Sequence, residues 1–195
     1  MKFERFTGET AAMLLIDHQV GTMSWVKSIP FAEMKRHALM LAKTAQILKM
    51  SVVLTSSMEA YAQGALLPEL EETLPAEYAA RIKRAGIVNA MDDVNFAKTV
   101  KATKRKKFII AGVTNDVCTV FPALSLVGDG YDVQVVADAG GSPSKMGDDM
   151  ALRRMEKGGV VLTSTNQVIA ELVGDWTTPE GSRIVRDVVM PALQA

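Results

Sequence analysis

Short, almost unbroken apolar runs recur along this chain, each followed by residues at helical spacing. That alternation limits the fold more than any other feature. Ala11–Asp17 (AAMLLID) is the first run and ends in a carboxylate. Ser51–Thr55 is the second, with Ser56, Ser57 and Glu59 at its exit. Arg81–Arg84 is a weaker third, interrupted by Gly86. Phe108–Ile110, Asp132–Ala137 and Val160–Leu162 complete the set. Runs that stay apolar rather than alternating are buried on both faces, as parallel strands are.

Between the runs, Phe31–Met50 places Met34, Ala38, Leu41, Ala42, Ala45 and Leu48 on one helical face. Asp92 or Asp93 caps a helix over Val94–Thr103, and Ala123–Gly128 and Ser144–Lys157 follow as helices. Thr165 caps Gln167–Val173, and Thr178-Pro179 opens a C-terminal helix. Gln19–Pro30 reads as loop, and Tyr61–Ala79 as a long irregular insertion with one short helix near Glu69–Leu74. The expected fold is α/β: a doubly wound, Rossmann-like parallel sheet of about six strands in the order 3-2-1-4-5-6, with helices on both faces. No linker interrupts residues 1–195, so one domain is expected, with a C-terminal helical tail from about residue 178.

Lys and Arg number 22, as do Asp and Glu, which argues against a general polyanion binder. The basic stretch Lys101–Lys107 has no interleaved aromatics and reads as a solvated helix end. Gly140 and Gly141 belong to no phosphate-binding fingerprint. A single cysteine makes no internal disulfide and fits a reducing compartment. Met1–Thr10 is polar and mixed in charge, unlike a secretory signal. No apolar run approaches the ~18 residues of a membrane span. The expectation is therefore a cytoplasmic protein acting on a small molecule, with neither nucleic acid nor membrane as partner. The 48% hydrophobic content is compatible with a homo-oligomer.

The stretch Lys107–Pro122 (KFIIAGVTNDVCTVFP) carries the chemistry. A buried strand runs through a tight turn and presents Cys118 ahead of a helix, where the dipole and free N–H groups favour an anion. Order 3-2-1-4-5-6 makes the first and fourth strands neighbours at the switch point, so Asp17 and Cys118 meet where ligands bind. Two negative groups need a fixed cation, and Lys83 or Arg84 supplies it, not both, because neighbours on a strand face opposite ways. His18 and His37 are the only histidines and neither is well placed, so a Cys–His pair fits poorly. Pro122 cannot donate to the Cys118 carbonyl, so the helix either begins later or has a distorted first turn.

Asp17 in LLIDHQ, Ile82–Ala90 (IKRAGIVNA), Gly112–Cys118 (GVTNDVC) and Phe121–Ser125 (FPALS), in this order, resemble the isochorismatase-like cysteine hydrolases, and within them the branch of poorly defined substrate. The resemblance spans roughly Ala11–Ala139. It implies a catalytic triad of Asp17, Arg84 and Cys118. It also implies a cis peptide before the nucleophile, by motif position Val113–Thr114, with the N–H groups of Thr114 and Cys118 as oxyanion hole. Ring-shaped assemblies of the branch imply a tetramer or octamer. Three departures stand out. The family's basic residue is usually Lys, and Arg84 acts only as a fixed charge. Asn115 stands where many members have Thr, which leaves open which bond before Cys118 is cis. Ser56–Ala60 holds no histidine for the metal site of the nicotinamidase branch, so neither metal nor cofactor is expected.

The resulting expectation is a cysteine hydrolase acting on an amide or related C–N bond through a thioester. Its alternative is a thiol-based redox sensor or ligand-binding protein that keeps the fold without turnover. A non-covalent ether hydrolase, whose activity survives loss of the thiol, is the third reading. Gln19, Trp25, Asn89, Asn115 and Phe121 are candidate pocket residues, with Tyr61 a further aromatic candidate.

Overall fold

The computed structural model describes residues 4–194. Met1–Phe3 and Ala195, the ends of the expected 1–195 domain, lie outside the described residues. Six parallel strands form one sheet in the order β3-β2-β1-β4-β5-β6, as the alternation of apolar runs requires. In chain order, β1 (Ala11–Ile16) leads through α1 (Val20–Ser24) and α2 (Phe31–Ile47) to β2 (Ser51–Ser57). Next come α3 (Pro68–Thr73), α4 (Pro75–Ala79), β3 (Ile82–Arg84) and α5 (Val94–Ala102). Then β4 (Lys107–Gly112), α6 (Val120–Gly128), β5 (Asp132–Val136) and α7 (Lys145–Lys157) follow. Finally β6 (Val161–Thr163) precedes α8 (Thr165–Val173), α9 (Pro179–Ile184) and α10 (Met190–Leu193).

Both faces of the sheet are covered, which is why the strands read as unbroken apolar runs. Met13, Leu15, Ile109 and Ala111 pack with α2, α8 and the C-terminal segment. Leu14, Ile16, Phe108 and Ile110 pack on the other face with α5 and α6. β1 and β4 are in register from Ala11 opposite Lys107 to Ile16 opposite Gly112. Their C-terminal ends therefore finish side by side, at the switch point.

Several boundaries differ from the sequence reading for local reasons. The expected loop Gln19–Pro30 contains α1, whose Val20, Gly21 and Thr22 amides donate to carbonyls of Ala65 and Gln63. The insertion Tyr61–Ala79 holds two short helices rather than one, each opened by a proline at its first position. Ser164, not Thr165, caps α8, because the Thr165 hydroxyl donates to Asp138. Asp93 is the cap of α5, accepting from the Asn95 and Phe96 amides. In the segment after Thr178, Ile184 and Val188 are buried in the α2 side of the core.

Candidate active site

β1 stops at Ile16 because Asp17 takes up a left-handed conformation, φ 57°. Aspartate tolerates that region better than most residues, and isolated cases cluster at functional sites. The turn swings the buried Asp17 carboxyl toward the end of β3. Arg84 sits there with its side chain 1% exposed. Its Nη2 donates to Asp17 Oδ2, its Nε to Thr55 Oγ1 at 3.1 Å and its Nη1 to the Ile87 carbonyl at 2.5 Å. Each of the three guanidinium nitrogens has a partner, and both members of the ion pair are buried. Lys83 faces the other way, 61% exposed and paired with Glu59 at 3.2 Å. Strand alternation thus puts Arg84 on the pocket wall and leaves Lys83 off it.

At the end of β4 the Val113–Thr114 peptide is cis. Asn115–Thr119 then forms a wide π-type turn, closed by Thr119 N–H donating to the Thr114 carbonyl at 3.1 Å, and α6 begins at Val120. The wide turn and later helix start accommodate Pro122: it falls in the first turn of α6, where a backbone N–H would have no intrahelical acceptor. Cys118 is carried in the wide turn, partly buried.

Asp17 and Cys118 perturb each other. Burial pushes the thiol well above its ordinary range. The Asp17 charge and hydrogen bond raise it further, against the opposing pull of Arg84 and the Thr114 backbone N–H. Burial likewise raises the Asp17 carboxyl, while Arg84 pulls it down by charge and hydrogen bond and Cys118 by hydrogen bond. Arg84 is the positive charge that meets this pair. Asp17 Oδ1 has no hydrogen-bond partner apart from what the thiol offers.

These groups open into a pocket of about 280 Å³. Gln19 and Trp25 line it. Asn89, Asn115, Phe121 and Tyr61 do not. Asn89 caps the Ala90–Asp92 turn and bonds Ser125 Oγ at 3.0 Å. Asn115 is buried, with its amide on Ala137 O and Asp148 Oδ1 at 3.2 and 3.1 Å. Phe121 packs on the core beneath Arg154, and Tyr61 is exposed. The wall residues that sequence reading missed include Thr22, Met58, Gln63, Val88 and Asp116. Gln63 comes from the insertion that wraps the start of α1, and Asp116 is exposed to the pocket by the wide turn. Gln19 is held by that wrapping, donating to Ser57 O at 2.9 Å and to Gly64 O.

His18 points away from the pocket. Its ring is fully buried and meets the Ala139 carbonyl through Nε2 at 2.8 Å. A carbonyl only accepts, so Nε2 carries the proton and Nδ1 is bare. Burial lowers this histidine to about 4. Among the described residues no cluster of three or more His, Cys, Asp or Glu side chains is arranged to hold a metal ion. A larger groove of about 440 Å³ lies between α2 and the C-terminal segment, but it holds no nucleophile or buried charge pair.

A parallel sheet of this order, with a cysteine, an aspartate and a cation gathered at the switch point, defines an isochorismatase-type α/β hydrolase. The isochorismatase domain model matches residues 11–167, and the chain belongs to that family. It is 39% identical to the probable hydrolase YcaC of Escherichia coli K12, over 89% of this chain and 83% of that one. A YcaC structure from Pseudomonas aeruginosa, with hexane-2,5-diol and covalent acrylamide, superposes with a TM-score of 0.92 at 37% identity, covering 100% of this chain and 96% of that one. The E. coli YcaC structure, described as an octameric hydrolase of unknown specificity, also gives 0.92, at 36% identity, covering 100% of this chain and 95% of that one.

Proposed function

We propose that the chain is a cysteine hydrolase that cleaves an amide or related C–N bond of a small molecule through a thioester acyl-enzyme. The observation that carries this is the pairing of a pocket-facing Cys118 with an Asp17 whose second oxygen is locked on a buried Arg84. Asp17 takes the thiol proton as Sγ attacks the substrate carbonyl carbon. The N–H groups of Thr114 and Cys118 receive the oxyanion. Asp17 then delivers its proton to the departing nitrogen, and water, deprotonated in turn by Asp17, releases the acid and restores the thiol. Arg84 never gives up its proton; it keeps a negative charge on Asp17 compatible with burial. A carboxyl held above its usual range by burial is better matched to this shuttling than an ordinary surface aspartate.

The raised thiol counts against the redox-sensor alternative, which works through a standing thiolate. The octameric relative supports a homo-oligomer for this chain, and a reducing, cytoplasmic setting agrees with the free thiol. Neither membrane nor nucleic acid is part of the reading; no helix among the described residues is long and apolar enough to cross a membrane.

The test is turnover of a panel of amides, esters and carbamoyl compounds by wild type and by Cys118→Ala and Cys118→Ser. The expected result is loss of at least a thousandfold in kcat/KM, with an acyl adduct on Cys118 detected by mass spectrometry. Turnover that survives removal of the thiol overturns the proposal and favours the non-covalent ether-hydrolase chemistry.

A further inference from the structure

A nucleophile works only when the groups behind it hold it within about 0.5 Å of its productive place. Cys118 sits in a turn of five residues, Asn115–Thr119, so much of that hold comes from outside the turn. One atom gathers two of the fixings: Asp148 Oδ1, in the first turn of α7. It accepts from Asn115 Nδ2 at 3.1 Å and from the Ser142 hydroxyl at 2.8 Å. The Ser142 oxygen in turn accepts the Asp116 N–H at 3.3 Å. Asn115 and Asp116, neighbours in the turn, therefore end on one carboxylate oxygen, the first by its side chain and the second through a hydroxyl. Asn115 and Ser142 are both buried, so water does not replace a lost acceptor. Asp148 does not line the pocket. A carboxylate in the first turn of a helix also meets the helix dipole. That contribution needs its charge, whereas the two hydrogen bonds need only an accepting oxygen.

We propose that Asp148 is a positioning residue for Cys118: by accepting from Asn115 and Ser142 it holds the turn so that the thiol stays against Asp17. The proposal rests on the reading of Cys118 as the nucleophile. Without the Asp148 oxygen, the Ser142 hydroxyl and one Asn115 amide proton are buried with no acceptor, and the turn shifts to relieve them. The thiol then leaves the Asp17 carboxyl to which it is hydrogen-bonded, and with it the group that takes its proton.

Cys118 is the only cysteine of the chain, so intact-mass spectrometry of the assembled protein times its alkylation by iodoacetamide at pH 7.5. Asp148→Ala slows the reaction at least tenfold. A merely destabilised chain does the opposite, because local opening exposes the thiol. Asp148→Asn gives up the charge, keeps the accepting oxygen and recovers to within threefold of wild type. Ser142→Ala cuts the relay at its other end and slows alkylation at least fivefold. Combined with Asp148→Ala it slows the reaction no further, as members of one network do. Asp149→Ala, which removes a neighbouring carboxylate paired with Lys145, is the control and reacts at the wild-type rate. A smaller fall or a rise in Asp148→Ala overturns the proposal. So does an Asp148→Asn protein that fails to recover, or a Ser142→Ala protein with the wild-type rate. If Asp148→Ala does not fold, the contrast between Asp148→Asn and Ser142→Ala decides. Alkylation needs no substrate, so failure here leaves the hydrolase reading intact. Turnover that survives loss of Cys118 removes that reading and leaves the placement of the thiol standing.

Discussion

On the proposed reading Arg84 stands where resembling proteins usually have lysine, and its surroundings hold the larger group. Thr55 Oγ1 and the Ile87 carbonyl take the two arms that Asp17 does not. Arg84→Gln leaves the buried Asp17 without its charge partner. The expected cost is about 3–5 kcal/mol of stability, with at least a hundredfold loss in kcat/KM. Arg84→Lys keeps the charge and gives up the fork, so activity falls about tenfold or less. Paired urea melts and steady-state rates distinguish the two, and equal losses would overturn the fixed-charge role. His18 gives a second residue-scale outcome. Its folded value of about 4 lies below the unfolded 6.5, so the unfolded chain binds the extra proton first. Stability is therefore full above pH 6.5 and falls as the pH drops toward 4, by about 3 kcal/mol over the window. Urea midpoints at fixed protein concentration should show this slope in wild type and its loss in His18→Gln. Asp17 and Cys118 were legible in the sequence because strand order alone brings them together. Asn115 and Asn89 were misread as pocket residues because an amide looks the same whether it faces a ligand or holds a turn.

At the scale of elements, the turn carrying Cys118 is held by the loop after β5. Asn115 N–H donates to the Gly141 carbonyl at 2.8 Å, and Asp116 N–H to Ser142 Oγ at 3.3 Å. Ser142 is itself fixed by Ser28 Oγ at 2.8 Å, and Ala139 by His18. The two loops pass so closely that a Cβ on Gly140 would lie 2.3 Å from the Gly112 carbonyl and 2.5 Å from Asn115 Oδ1. Gly140→Ala should cost about 1–3 kcal/mol by overpacking and lower kcat more than it raises KM, because it displaces the nucleophile turn. Gly128→Ala is the control. A Cβ there meets nothing within 4 Å, and the residue ends α6, so stability should stay level or rise by up to about 1 kcal/mol. A Gly140→Ala enzyme with wild-type rates would refute the support role. This dependence was not legible beforehand: Gly140-Gly141 was only ruled out as a phosphate loop, since a close backbone approach leaves no local sequence pattern. The element types were legible wherever apolar period was strong, and α1, α3 and α4 were blurred because five or six residues are too few to show one.

For the whole molecule, the order of the strands was the most secure inference, since unbroken apolar runs separated by helices leave few alternatives to a doubly wound sheet. The C-terminal segment was harder to place, because its apolar residues are spaced among charges and the wide turn Val185–Val189 shifts their phase. Ile184 is fully buried in the same core cluster as the α2 residues Met34 and Leu41. If residues 1–195 form one cooperative domain, as we propose, damage there must be felt everywhere. Ile184→Ala should cost about 2–5 kcal/mol and lower one calorimetric transition, with near-wild-type activity at low temperature because Ile184 does not line the pocket. Two separated transitions, with β-sheet and C-terminal signals lost apart, would divide the domain. The same preparation tests the assembly. Exposed Trp176, Met190 and Leu193 near the chain's end leave apolar surface that a homo-oligomer can cover. Sedimentation should give a multiple of 21.1 kDa, with melting temperature rising with protein concentration, since association binds the folded state alone. A monomer with a concentration-independent melt would end the oligomer proposal while leaving the pocket chemistry untouched, because every group assigned to it comes from one chain.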